Sequence, residues 1–578
     1  MSSRESVHTP SWHWYLLGFI GLLRFCNLGF PDLQAWDEAL YTVRAQAVVR
    51  FGAWLDQSSH AIDGLYSSLH PPLYVWLTAG AFHLFGETEW PARLISALAG
   101  AATLPVIALL GKRFWNPETG LIAALLFGLN PFVTFFTRQG QFDTLLVFFL
   151  TLSVYCFLKV SREPGRIATL LAGVSLGLAL MTKLFVALLI PAALMLFMLR
   201  RGNRPGRPVM VQIAAALAIA GAISIPWHAF MAFSHAAGNP LFFFAQSALL
   251  QRTLYGIEGN VQPLEIFYYV NQLVVLFPAA AFFFFAGVRE FYASKDLPTG
   301  ILWSWFVVFF VIFSLMRTKL AVYTLPMFVP ISVLAASVLW NHVSGPFRPR
   351  SWLILLTGTS FFLIWSFSQD ARTAVKDVFL SLFAIQVPEG DNILLMTILV
   401  GSALLAIVFT YWMTSREWFP DHRQHIVIAL LALVGGFSLV DVVVEDSTRY
   451  RDGATEVGLF VESHRFQRIV VAGFERNPQL TYYLDGADID WRSDMSVRRI
   501  LPPPSRTAYA SWLIEELGGE PSSTLLLIEK DKFIRYQTID PQDFVPSDYR
   551  LVLNTRRYSA YVRSQEDFLA AYGHGTIR

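Results

Sequence analysis

Long apolar runs alternate with short polar connections over residues 12–443, and then the pattern stops. A bilayer core takes roughly 20 apolar residues per helix. On that measure spans are predicted at about 12–30, 91–111, 119–137, 143–160, 167–182, 184–200, 209–227, 264–287, 300–316, 321–340, 351–368, 392–412 and 425–443. Segment 71–86, PPLYVWLTAGAFHLFG, is apolar but short and starts with two prolines. It reads as a further span or as a helix lying at the interface.

Charge arbitrates. Without a crossing at 71–86, alternate connections carry Lys112 and Arg113, then Lys159, Arg162 and Arg166, then Arg200, Arg201, Arg204 and Arg207. The same side continues with Arg289 and Lys295, Arg348 and Arg350, and Arg416 and Arg423. Basic connections of this kind belong in the cytoplasm. Counting 71–86 as a span would break the alternation, so thirteen spans are predicted, with the N-terminus inside and the C-terminal stretch outside. The connections holding Asp37–Glu38, Asp143, Thr182–Lys183, His228–Gln262 and Arg317–Tyr323 then share that outer side.

Past residue 444 the composition becomes that of a soluble protein. RIVVAGF (468–474) and STLLLIE (523–529) read as buried strands, and GATEVGLFVESH (453–464) and TAYASWLIEELGG (507–519) show helical spacing. YRLVLNTRRYSAYVR (549–563) reads as a closing strand pair. The expected division is a membrane domain over 1–443 and a small extracytoplasmic α/β domain over 444–578. No glycine-rich phosphate fingerprint opens any of its helices, so a structural or acceptor-docking role is expected of it.

Composition agrees with a polytopic α-helical membrane protein: 54% of the 578 residues are hydrophobic and 15% charged. A net charge of +2 leaves no electrostatic footprint for nucleic acid. Cys26 and Cys156 both lie in apolar runs, which does not indicate a disulfide framework. The first apolar run lacks a convincing cleavage site and reads as a retained span.

Ionisable residues gather at the outer ends of the spans, where they are costly unless they work or are solvated. Asp37 and Glu38 follow the first span. His70 precedes a Pro-Pro pair that starts a helix well; alone it reads as structural. Arg138 and Asp143 flank the start of another span, where an Asp could also simply cap the helix. Lys183 sits between two apolar runs and could snorkel. Trp227 and His228 suit an aromatic belt. Arg252 stands alone among apolar residues, and RTKLAVY (317–323) sets Arg317, Lys319 and Tyr323 in a tight turn. Two basic residues on the outer side run against the charge trend, so an anionic partner is expected there, a phosphate above all. Cations could hold the phosphate of a lipid-linked donor as it leaves, while a carboxylate takes the proton of an attacking hydroxyl or amine.

The order of WDEALY, HPPLYVWL, RLISALAG, QFDTLL, TK, PWH and RTKLAVYTLP resembles the membrane glycosyltransferases of the GT-C type. It is most similar to the branch of the lipid A aminoarabinose transferases and protein O-mannosyltransferases, in motif order over about residues 12–340. The resemblance implies a polyprenyl-phosphate sugar donor and inverting transfer to a glycolipid or protein acceptor on the extracytoplasmic face, in bacteria at the inner membrane. By motif position it implies that Asp37 is the first-loop catalytic acid, with its neighbour Glu38 also expected in the catalytic set, and that Asp143 is the second-loop catalytic acid. Arg252 and Tyr323 match donor-phosphate contacts, and Lys319, in the same turn, and His70 are expected to bind that phosphate with them. The aminoarabinose enzymes carry Glu-Lys before Pro-Pro where this chain has Leu69-His70, which puts any metal site built on that Glu in doubt. No cofactor is required by the resemblance, and a divalent cation remains compatible with it.

Two other classes compete. A secondary transporter predicts charges near the bilayer midplane and inverted repeats, neither of which the pattern shows. An envelope-assembly scaffold leaves the basic turn at 317–323 unexplained.

Overall fold

The computed structural model describes residues 10–30, 32–34, 37–60, 70–201, 206–235, 260–261, 268–294 and 296–344. Beyond residue 452 it describes 453–464, 466, 468–472, 478–485, 497–500, 517, 524–530, 545, 548–555 and 557–563. Arg252, the spans expected at 351–368, 392–412 and 425–443, and all of the helix expected at 507–519 except Leu517 lie outside them.

The chain forms two compact units. The first comprises Met1–Cys26, Ser96–Arg138 and Phe142–Val444; the second comprises Asn27–Ile95, Gln139–Gln141 and Glu445–Arg578. The described residues are mostly helical, and the chain is an integral membrane protein. Among them five helices are long and apolar enough to cross a bilayer: Glu89–Phe114, Asp143–Ser161, Arg207–Ser234, Leu297–Leu315 and Ala321–Asn341.

Several expected spans are interrupted, each for a local reason. The run at 119–137 divides into Pro117–Gly128 and Pro131–Thr137, bent by 71°. Pro131 disfavours helical backbone at Asn130, whose side chain instead caps the second piece by accepting the Val133 N–H. Asn130 also donates to the Leu276 carbonyl at 2.7 Å. Leu276 ends the helix Tyr268–Leu276, and Pro278 starts the next, Pro278–Ala293, so the run at 264–287 is broken as well. The helix Ser11–Leu23 is shorter than the span expected at 12–30.

Close helix packing in the first unit relies on small residues, as it does in membranes generally. Gly173 and Gly177, four apart on the helix Arg166–Leu180, face the helix Arg207–Ser234. A Cβ on Gly173 would lie 2.7 Å from the Ala216 carbonyl oxygen, and one on Gly177 would lie 2.9 Å from the Ile223 Cβ. Gly111 and Gly120 meet backbone to backbone; a Cβ on Gly111 would come 2.5 Å from the Gly120 Cα. Two short strands also belong to this unit. β1 (Asn260–Val261) pairs antiparallel with β2 (Thr318–Lys319).

The second unit holds the helices Asp37–Phe51 and Leu73–Phe85 together with a five-stranded sheet. The Leu73–Phe85 helix has 13 residues and runs about 20 Å, short of a ~30 Å bilayer core. The sheet order is β4 (Val497–Ile500), β3 (Arg468–Ala472), β5 (Thr524–Glu529), β7 (Tyr558–Arg563), β6 (Tyr549–Asn554). The β4–β3 and β3–β5 pairs are parallel, and the β5–β7 and β7–β6 pairs antiparallel. β5 is buried along its whole length, which is why its sequence reads as an unbroken apolar run. Ile469, Val471, Leu525, Leu527, Ala560 and Val562 form one face of a core closed by the helices Ala454–Ser463 and Pro478–Asp485.

Gly120→Ala should destabilise the protein by about 1–3 kcal/mol, because its Cβ would run into the Ala108 carbonyl oxygen and the Lys112 backbone nitrogen, neither of which can yield. Gly80→Ala, in open space on the helix Leu73–Phe85, should instead be neutral or stabilising by up to about 1 kcal/mol. Thermal unfolding of both variants in detergent checks the opposite signs.

Candidate active site

The helix Asp37–Phe51 begins on the two acids, where its N-terminal dipole favours negative charge. Their environments differ completely. Asp37 is exposed, whereas Glu38 is fully buried. The Glu38 carboxylate accepts four hydrogen bonds, two on each oxygen. Oε1 takes Arg93 Nε at 2.7 Å and the Gly140 backbone N–H at 2.6 Å. Oε2 takes Arg93 Nη2 at 2.9 Å and the Gln34 backbone N–H at 2.6 Å. Four is about the capacity of an ionised carboxylate.

Arg93, 1% exposed, reaches further into the same loop. Its Nη1 donates to the Leu28 carbonyl at 2.7 Å, and Nη2 also donates to the Asp32 carbonyl at 3.0 Å. Glycine at 140 eases this approach, since a Cβ would lie tightly, 3.0 Å from Glu38 Cγ and 3.1 Å from the Ala92 carbonyl oxygen. Sequence reading did not single out Arg93. Its signal was its place at the head of the RLISALAG motif, near the start of an apolar run on the side where an acid pair needed a partner.

His70 belongs to the same unit. Its carbonyl accepts from Arg44 Nη2 at 3.0 Å, and its ring stands edge-on to Tyr41, with centroids 6.2 Å apart. Arg44 is wholly buried and also donates to Gln57 Oε1 at 2.9 Å. Burial lowers its pKa to about 10, against the opposing pull of Tyr41 and Asp56, and it stays charged at neutral pH.

In the first unit, three expected outer connections meet. Asp143 is the first residue of the helix Asp143–Arg162, and its Oδ1 lies 3.4 Å from Lys183 Nζ. The ammonium also sits over the Phe142 ring, 4.6 Å from its centroid, and 5.1 Å from that of Tyr323. Tyr323 is 4% exposed and stacks on Phe313 at 5.2 Å. Snorkelling is one way the sequence accounts for Lys183; its place on the same expected outer side as Asp143 is the signal for the pairing.

Lys319 has a different setting. Its ammonium donates to the carbonyls of Ser314 and Met316, each at 2.6 Å, and of Phe313 at 3.3 Å. These lie at the C-terminal end of the helix Leu297–Leu315, where carbonyls lack intrahelical donors. Arg138 acts similarly: its Nη1 donates to the carbonyls of Arg24 and Cys26, just beyond the helix Ser11–Leu23. Among the described residues no group of three or more His, Cys, Asp or Glu side chains is placed to hold a metal ion.

Fold and site define a class, the polytopic membrane proteins with acids and cations at the helix ends. A family profile described as dolichyl-phosphate-mannose-protein mannosyltransferase matches residues 69–228. An undecaprenyl phosphate-alpha-4-amino-4-deoxy-L-arabinose arabinosyl transferase 2 of Pseudomonas fluorescens is 27% identical over 369 residues, 62% of each chain. A transferase of Pseudomonas aeruginosa named for the same substrate is 27% identical over 345 residues, 59% of this chain and 60% of the relative. The chain thus matches these relatives over about three fifths of their length. Among solved structures, ArnT from Cupriavidus metallidurans bound to undecaprenyl phosphate superposes with a TM-score of 0.69 at 17% identity, covering 96% of this chain and 98% of that one. The archaeal oligosaccharyltransferase AglB from Archaeoglobus fulgidus gives 0.51 at 13% identity, covering 96% and 74%. The fold is thus similar to that of ArnT and AglB, and the sequence is similar over part of its length to the aminoarabinose transferases.

The two neighbouring acids should respond in opposite ways to loss of charge. Glu38→Gln should destabilise the protein by about 3–5 kcal/mol by leaving the Arg93 guanidinium buried without its counter-ion. Asp37→Asn should cost under about 1 kcal/mol, the scale of a helix-dipole contact. Thermal unfolding of the two amide variants side by side checks this.

Proposed function

We propose that the protein is an inverting glycosyltransferase of the bacterial inner membrane. It transfers a sugar from a polyprenyl-phosphate donor to a cell-envelope acceptor, a glycolipid or a protein, on the extracytoplasmic face. The observation that carries this reading is the division of labour at Asp37 and Glu38: one carboxylate is saturated and buried, the adjacent one exposed at a helix start. A membrane protein that holds one acid this firmly beside a second, solvent-accessible acid is built to present the second.

In this reading Asp37 takes the proton of the acceptor hydroxyl or amine as its heteroatom attacks the anomeric carbon. The new glycosidic bond forms as the bond from that carbon to the phosphate oxygen breaks, with inversion, and the polyprenyl phosphate leaves with its electron pair. Glu38 positions the helix that bears Asp37. Arg252, Tyr323 and His70 hold the donor phosphate, as their motif positions imply. Lys183, paired with Asp143 and set beside Tyr323, supplies a cation to that phosphate. Lys319 serves by fixing the turn that carries Tyr323. The thirteen-span topology, cytoplasmic N-terminus and extracytoplasmic α/β domain over 444–578 belong to the same proposal.

The test is mass spectrometry of lipid A, other glycolipids and envelope proteins from cells carrying the wild-type or the Asp37→Asn protein at equal levels. The expected result is loss of one sugar mass from one fraction. Identical profiles would overturn the reading and favour a transporter or scaffold. Arg252→Ala should weaken binding of undecaprenyl phosphate to the purified protein by roughly tenfold, the scale of one charge-assisted contact, as read by a lipid titration.

A further inference from the structure

We propose that Asp32 is a positioning residue through which the C-terminal stretch sets the conformation of the segment that presents Asp37. This rests on the reading of Asp37 as the base.

The helix Ala454–Ser463 starts after Gly453, which has φ +94° and no side chain to cap the helix. The cap comes from Asp32, 5% exposed and more than 400 residues earlier in the chain. Asp32 Oδ2 accepts the backbone N–H groups of Gly453 at 3.0 Å and Ala454 at 3.2 Å, and Oδ1 accepts the Thr455 hydroxyl at 2.5 Å. The next residue is held from the same stretch. Leu33 N–H donates to the Tyr483 hydroxyl at 3.1 Å, and the Leu33 carbonyl accepts from Gln479 Nε2 at 2.7 Å. Gln479 Oε1 is in turn fixed by the Tyr558 hydroxyl at 3.0 Å on β7. Tyr483 completes a bridge by donating to Glu89 Oε1 at 3.1 Å. Burial, with Asp32 and Glu89 close by, holds its phenol well above the usual tyrosine range, so it remains a donor.

The following residue belongs to the other clasp. Gln34 N–H donates to Glu38, and Arg93 Nη2 ties the Asp32 carbonyl to Glu38 Oε2. Three consecutive residues, Asp32, Leu33 and Gln34, are therefore bound on one side by the C-terminal stretch and on the other by the ion pair at the start of the Asp37 helix. The intervening chain to Asp37 is only two residues long. A shift of the Ala454 helix is carried through Asp32 to Gln34, whose N–H bond to Glu38 reaches the first turn of the helix that bears Asp37.

A purely structural cap would lower stability and leave chemistry per folded molecule unchanged. Full-length Asp32→Ala, Asp32→Asn, Thr455→Val and Asp37→Asn proteins separate the two roles. Asparagine keeps an oxygen for both N–H groups and can donate to the Thr455 oxygen, so it is the conservative rescue. Product in the envelope is read by mass spectrometry per folded protein, binding by titration with undecaprenyl phosphate, and local order by hydrogen exchange. Asp32→Ala is expected to lower product roughly 10- to 100-fold, the range for misplacing a catalytic group by about 1 Å. Undecaprenyl phosphate affinity should stay within about twofold, exchange should rise over residues 32–50 and not in β5, and Asp32→Asn should recover most of the product. If Asp37→Asn is inactive while Asp32→Ala keeps wild-type product, the proposal is overturned and the functional reading stands. If Asp37→Asn is itself active, both fall. Should Asp32→Ala unfold the sheet, Thr455→Val decides: reduced product with unchanged unfolding temperature supports the coupling, and wild-type product overturns it.

Discussion

The buried pair of Glu38 and Arg93 is the contact on which the first-loop geometry depends. Removing two charges from water is expensive, and mutual attraction alone seldom offsets it. Here both partners are also supplied with backbone groups: two N–H donors on the carboxylate and two carbonyls on the guanidinium. Those groups come from residues 28, 32, 34 and 140, so satisfying the charges and shaping the loop are one event. An apolar pair of similar size would fill the space as well, but it would leave four backbone groups without partners. The pair gives the loop one conformation rather than extra stability.

The same economy governs the cations of the first unit. Breaks in membrane helices expose carbonyls that lipid cannot satisfy. Arg24 donates to Ile20 and to Gly128, the latter at the bend between Pro117–Gly128 and Pro131–Thr137. Lys319 closes the end of Leu297–Leu315. Such residues carry full charges yet direct them at backbone carbonyls, which distinguishes them from Lys183, whose ammonium faces a carboxylate.

The sequence made the architecture legible because bilayer thickness imposes a length on every apolar run, and because β5 and β3 sit in apolar runs bounded by polar turns. It also made visible which connections carry ionisable residues. What each residue does there was hidden. Asp37 and Glu38 look equivalent in a string of letters; only the position of Arg93, 55 residues away, separates them. Lys319 opposed the charge trend, which suggested an anionic partner, but partial negative charge at a helix C-terminus meets that need equally well. The breaks at Asn130-Pro131 and Phe277-Pro278 were written in the prolines, yet unbroken hydropathy outweighed them. Asp32 gave no signal, since the glycine it compensates lies more than 400 residues away.

That separation has a consequence for how the protein is made. Residues 27–95 leave the ribosome long before 445–578, at typical synthesis rates by roughly 20–80 s. During that interval the Asp32 carboxylate and the Leu33 backbone lack the partners that later hold them, although the Glu38–Arg93 pair can already form once Arg93 has emerged. A nascent chain therefore carries Asp37 and Glu38 without the contacts that 453–455, 479 and 483 later make to Asp32 and Leu33. The order of synthesis therefore sets the order in which the two sets of contacts on residues 32–34 can form.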